Sequence, residues 1–106
     1  MQIKKLIIIL LAGICLQGCV SPKMGEELQQ GKATFAAGDY ANAFHQLLPI
    51  AVSGDKEAQY AVGYMYYNGL GVAQDTQTGI FWMHKSADQK YPPAQNALKA
   101  LSEPRV

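Results

Sequence analysis

The chain has 106 residues, with 9 Lys or Arg against 8 Asp or Glu, so it holds one small domain at most and carries almost no charge excess. That length excludes a multidomain enzyme, and the charge balance lacks the basic footprint of a nucleic-acid-binding protein. The two cysteines, Cys15 and Cys19, sit near the N-terminus, so the remainder of the chain has no thiol for a disulfide, a metal cluster or a nucleophile.

The first element is a leader. Lys4 and Lys5 precede an apolar run from Leu6 to Leu16, which falls short of the roughly 20 apolar residues a membrane-spanning helix needs. A basic start and a short apolar run read as an export signal rather than as fold. The run ends in Leu16-Gln17-Gly18-Cys19, which resembles the lipobox of bacterial lipoproteins. The resemblance implies cleavage after Gly18 and acylation of the Cys19 sulfur. It divides the chain into a signal peptide at residues 1–18, a lipidated tether at 19–24 and a folded domain at 25–103. The alternative is a conventional signal peptide that happens to end in Gly-Cys. In enterobacterial lipoproteins an Asp after the lipidated cysteine retains the protein in the inner membrane. Val20 stands there instead, which implies a lipid anchor on the periplasmic face of the outer membrane of a bacterial envelope.

Five helices are expected after the tether. The first covers about 25–37 and stops at Gly38. Asp39 is placed to cap a second over about 40–52, with Gly54 beyond its end, and Pro49 is expected to kink it or end it early. Asp55 is placed to cap a third over about 56–68, followed by the turn Gly69-Leu70-Gly71-Val72. Asp75 is placed to cap a fourth over about 76–89, and Pro92-Pro93 start a fifth, because proline is tolerated in a first turn. Apolar spacing in these segments is helical and no segment alternates as a strand does.

Shifted by 36 residues, the chain matches itself: Ala58-Gln59 falls on Ala94-Gln95, Ala61 on Ala97, Val62 on Leu98, and Met65 on Leu101. The same shift places Ala43 on Gly79, Phe44 on Ile80, Leu47 on Met83 and Ala51 on Ala87. Matching positions are small or apolar, and a single helix pair cannot bury apolar faces on both sides. The fold class is therefore all-α, a short α-solenoid of stacked antiparallel helix pairs with about five helices.

The run Glu57-Ala58-Gln59-Tyr60-Ala61-Val62-Gly63-Tyr64-Met65-Tyr66-Tyr67-Asn68-Gly69-Leu70-Gly71-Val72, then Phe81-Trp82, Ser86-Ala87 and Ala94-Gln95, resembles the Sel-1-like repeat. That family is a subclass of the tetratricopeptide superfamily. Gly31, Gly38-Asp39-Tyr40, Ala43, Leu47 and Ala51 fit the looser tetratricopeptide pattern. Gly79 departs from the resemblance, since the family prefers alanine there and glycine costs about 1 kcal/mol inside a helix. Trp82 reads as a large apolar anchor of the fourth helix.

Ala58, Val62, Gly63 and Tyr66 share one face of the third helix, and the small Gly63 lets a neighbouring helix approach. Tyr60, Tyr64 and Tyr67, spaced i, i+4, i+7, form a second stripe. The resemblance implies that the first helix of each pair lines a concave groove, and places these tyrosines in it, with Leu28, Lys32 and Phe35 in the matching positions on the first helix. An aromatic stripe with one basic residue suits capture of a peptide or partner helix. The other reading is that the tyrosines pack against the first or fifth helix and close a small bundle.

Catalysis finds little support. His45 and His84 are not equivalent under the repeat shift, and Glu26-Glu27 and the Asp55/Glu57 pair sit at helix starts, where capping and the helix dipole account for acids. No metal-ligand or phosphate-loop motif occurs. Three functions follow. The first is a non-catalytic, membrane-anchored protein-protein interaction module of the envelope, without cofactor or metal, whose partner is an unknown envelope protein or peptide, with a homodimer as a further option. The second is a regulator or localiser of a cell-wall (murein) enzyme. The third, a β-lactam-hydrolysing enzyme, rests on cysteine-rich relatives and is remote, since no cysteine follows Cys19.

Overall fold

The computed structural model describes residues 20–104. The expected signal peptide at residues 1–18 and the lipidation candidate Cys19 lie outside the described residues. Among the described residues there are five helices: α1 (Val20–Ala36), α2 (Tyr40–Val52), α3 (Lys56–Asn68), α4 (Thr76–Asp88) and α5 (Pro92–Ser102). Each packs against its chain neighbour, which is the all-α solenoid expected from the repeat.

Where each helix starts is set by local chemistry. The Asp55 carboxylate accepts from the Ala58 N–H at 2.9 Å, and that of Asp75 accepts from the Thr78 N–H at 3.1 Å and the Thr78 hydroxyl at 2.7 Å. These satisfy donors that a helix start leaves unpaired. The Thr78 bonds hold the Asp75 carboxyl below its ordinary value. Asp39 departs from expectation: its side chain makes no cap hydrogen bond and instead accepts from the Asn42 amide at 2.8 Å. The Asp39 backbone stands at ψ 72°, outside the extended conformation that Asp55 and Asp75 adopt and that aims a capping carboxylate back at the helix N–H groups.

Two further expectations are corrected. Helix α1 begins at Val20 rather than near Gly25, taking in the stretch read as tether. Pro22 falls in its first turn, where the missing N–H has no intrahelical partner to lose. Helix α2 neither stops at Pro49 nor ends early but continues to Val52. Pro49 and His45 are both exposed, so the carbonyl left without its i+4 donor lies on the water side. Beyond it the Ser53 N–H and hydroxyl both donate to the Pro49 carbonyl, at 3.0 and 2.8 Å, and close the last turn.

The core runs along the inner seam of α1 to α3: Leu28, Ala43, Phe44, Leu47, Ile50, Ala51, Ala58, Val62 and Met65 form one buried cluster, with Tyr66 and Trp82 packed against it half-buried. Phe44 meets Tyr66 edge to face at 5.3 Å, a favoured aromatic geometry. Helices α3 and α4 cross with their backbones in contact. A Cβ on Gly63 would stand 2.8 Å from the Gly79 carbonyl oxygen, and one on Gly79 would stand 2.7 Å from the Gly63 oxygen and 2.8 Å from the Tyr67 nitrogen. Gly79 is thus required by the crossing, and its helix-propensity penalty is offset there.

The 36-residue repeat extends to hydrogen bonds. Buried Gln59 donates to the Ala51 carbonyl at 3.2 Å, and Gln95, its equivalent, donates to the Ala87 carbonyl at 3.5 Å, the equivalent acceptor. Gln89 adds a cross-link, donating to Gln59 Oε1 and to the Gly54 carbonyl, both at 2.8 Å. Fully buried Ser86 donates to the Lys56 carbonyl at 2.7 Å, tying α4 to the start of α3.

Candidate partner-binding groove

Helices α1, α3 and α5, the first members of successive pairs, lie along one side of the solenoid, and the tyrosines of α3 run down the middle. Asp55 and the turn after α3 fix this helix. Gly69, at φ 69°, donates to the Met65 carbonyl, and the Gln74 side chain donates to the Tyr67 carbonyl at 3.0 Å. A side chain at Gly71 would collide with the Tyr40 carbonyl, so the turn rests directly on the start of α2.

Two depressions of about 230 Å³ each flank the Tyr60–Tyr64 pair. One is lined by Phe35, Tyr60, Ala61 and Tyr64. The other is bounded by Tyr60, Tyr64, Tyr67, Met83, Ala97 and Leu101. Tyr64 meets Phe35 of α1 edge-on at 6.2 Å, and Tyr60 lies 6.4 Å from Tyr64 and 5.8 Å from Tyr91. Tyr60 and Tyr67 are half-buried and Tyr64 is 40% exposed. The tyrosines therefore do touch the helices on either side, yet keep open surface between them.

One charged contact links two of the groove helices. The Lys32 ammonium donates to Glu57 Oε2 at 2.7 Å, joining α1 to α3, with side chains 46% and 35% exposed. The Glu57 hydrogen bond and charge raise Lys32 above the ordinary lysine value. Tyr91 is also raised, mainly by burial and further by the Glu57 charge.

Of the residues singled out from the sequence, Phe35, Tyr60, Tyr64 and Tyr67 come together in the groove, whereas Lys32 lines neither depression and is engaged by Glu57. Leu28 does not join them. It is 7% exposed and belongs to the core cluster, because at this end α1 turns that face toward α2. Met83, Ala97, Leu101 and Tyr91 were not singled out. The apolar positions of α5 were legible as a helical stripe, but nothing in sequence placed them opposite the tyrosines.

Among the described residues no group of three or more His, Cys, Asp or Glu side chains is placed to hold a metal ion, and no helix is long and apolar enough to cross a membrane. Helix pairs that repeat every 36 residues and present one side as an aromatic groove define a short all-α repeat solenoid. Residues 56–91, the unit at its centre, match the family model described as Sel1 repeat. Over 39 residues the chain is 49% identical to a sel1-like repeat-containing protein of Acanthamoeba polyphaga mimivirus, covering 37% of this chain and 7% of that protein. Over 49 residues it is 41% identical to chitin synthase regulatory factor 3 of Schizosaccharomyces pombe, covering 46% of this chain and 5% of that protein. The chain thus spans less than a tenth of these relatives. No solved structure matches. Sel1 repeats are in general non-catalytic modules that bind other proteins.

Proposed function

We propose that this chain is an envelope lipoprotein, anchored through Cys19, that captures a segment of a partner protein in the α1–α3–α5 groove without catalysing a reaction. The observation that carries the reading is the pair Tyr60 and Tyr64, held half-open between two apolar depressions. Tyrosine there offers a wide apolar face and a hydroxyl with only two side-chain torsions to order, so binding costs little entropy. No charged residue lines either depression, and Lys32 and Glu57 of the neighbouring helices neutralise one another, which favours an apolar or aromatic segment over a charged one.

The deciding experiment places a photoreactive amino acid at Tyr64 in cells and identifies what cross-links. The expected result is one dominant envelope protein, captured from Tyr64 but not from exposed Val52 on the outer helix α2. Equal capture from both positions would overturn the groove assignment. Labelled palmitate tests the anchor: it is expected to enter the chain and to be lost in Cys19→Ser.

A second reading is favoured by the relative named as a chitin synthase regulatory factor. In it the same groove holds or restrains an enzyme that builds or cuts the cell wall. The cross-linked partner distinguishes the two readings, since the second requires a murein enzyme.

A further inference from the structure

The C-terminal end of the solenoid carries a second surface, separate from the groove except for Leu101. Ile80 and His84 of α4 and Leu98, Lys99, Leu101 and Ser102 of α5 line a depression of about 550 Å³. Shifted back by 36 residues, these six fall on Phe44, Leu48, Val62, Gly63, Met65 and Tyr66. Of those residues, Val62, Gly63 and Met65 belong to the part of α3 on which α4 packs. Gly63 abuts Gly79 and Met83, Val62 and Met65 are fully buried, and Trp82 packs on their cluster. The depression is therefore the repeat equivalent of the bed of α4, with apolar Leu98 and Leu101 half-buried where Val62 and Met65 are sealed.

We infer that this end is a docking site for one amphipathic helix of a partner protein, lying across α5 as α4 lies across α3 and carrying an acidic residue opposite Lys99. Two substitutions between the equivalent faces argue for that occupant. Lys99 replaces Gly63, so a helix cannot come within backbone contact and must lie farther out, along the lysine stem, with the ammonium reaching its near face. His84, at the repeat position of Leu48, makes the lining more polar. An apolar stripe interrupted by Lys99 is complemented by an apolar stripe interrupted by a carboxylate. A second copy fits less well. Its outer helices are each flanked by inner ones, α2 by α1 and α3, and α4 by α3 and α5, so neither can be laid down as a single helix.

The probe is a fluorescein-labelled peptide with the sequence of residues 75–89, the helix that fills the equivalent bed, carrying Gly79→Glu. Its anisotropy is followed on titration with the full chain in detergent. It is expected to bind more tightly than the unaltered peptide and to lose about fivefold in affinity against Lys99→Glu, the scale of a partly exposed ion pair. A peptide carrying Gly79→Lys is expected to show the reverse preference. Lys99 is exposed, and an unchanged helical signal by circular dichroism verifies that the variant folds. Absence of binding, or equal binding to both forms of the chain, overturns the proposal. So does concentration-dependent self-association of the chain that Lys99→Glu abolishes, which assigns the face to a second copy. Photocapture from Tyr64 in the groove is unaffected by any of these outcomes, so the two readings fail independently.

Discussion

Gly63 and Gly79 face each other across the α3–α4 crossing, each occupying space that the other's side chain would need. Gly79→Ala recovers about 1 kcal/mol of helix propensity, yet it drives a methyl group into the Gly63 carbonyl and the Tyr67 backbone nitrogen. Because those atoms belong to the main chain and cannot step aside, the overpacking cost prevails. The expected outcome is a net destabilisation of about 1–3 kcal/mol, read as a lower urea midpoint.

The same pair marks how far the sequence is legible. Gly63 reads correctly as a point of close approach, since it interrupts an apolar face. Gly79 reads as a defect, because its justification lies on another helix. Likewise Asp39 precedes a helix just as Asp55 and Asp75 do, and what keeps its carboxylate from capping is a backbone conformation that residue type does not announce. Leu28 has the spacing of a groove residue alongside Lys32 and Phe35, but which faces of α1 meet α2 is decided by the packing angle. Five helices, their order and the tyrosine stripe were legible because they depend on local spacing. The opposite wall of the groove and the partner of Lys32 were not, because both depend on contacts between helices.

Lys90 occupies the left-handed region, φ 64°, without being glycine, and its 36-residue equivalent is Gly54 at φ 110°. A side chain in this conformation costs about 1–2 kcal/mol, part of which glycine returns through a freer unfolded chain. Lys90 is exposed and makes no ion pair among the described residues. Lys90→Gly is expected to stabilise by about 0.5–1 kcal/mol, which a thermal melt registers as a rise of several degrees, given about 4–8 °C per kcal/mol for a domain this small.

Tyr64 and its neighbour Met65 separate binding from folding. Met65 is fully buried, so Met65→Ala is expected to cost about 2–5 kcal/mol and to lower the thermal midpoint sharply. Tyr64→Ala, at a site open to water, is expected to change stability by no more than about 1 kcal/mol while abolishing capture of the partner. A collapse of the helical signal in Tyr64→Ala would place the tyrosine in the core instead.

Lys32 and Tyr91 are both raised above their ordinary values. For each, the folded state holds its proton more tightly than the unfolded chain. The contribution is complete below the unfolded value and disappears as pH climbs through the folded one, so stability is expected to fall at alkaline pH. The lysine share is small because the pair is well exposed. Glu57→Gln is expected to cost no more than about 1 kcal/mol and to become indistinguishable from the parent chain near 1 M salt, where charges are screened over about 3 Å. Denaturant titrations with and without salt, at neutral and alkaline pH, provide the check. Persistence of the difference at high salt would mean Glu57 acts through packing.

Among the described residues each helix leans chiefly on its neighbours in sequence, and that arrangement governs how the molecule comes apart. Loss of order can start at either end and travel inward one helix at a time, as a zip opens, without a single event that dissolves the whole. The α3–α4 hairpin, locked by its glycine crossing and by Ser86 and Gln89, opens last and protects its amide hydrogens longest against exchange with deuterated water. Since α3 carries all three groove tyrosines, the recognition surface sits on the part of the molecule that persists while the ends fray.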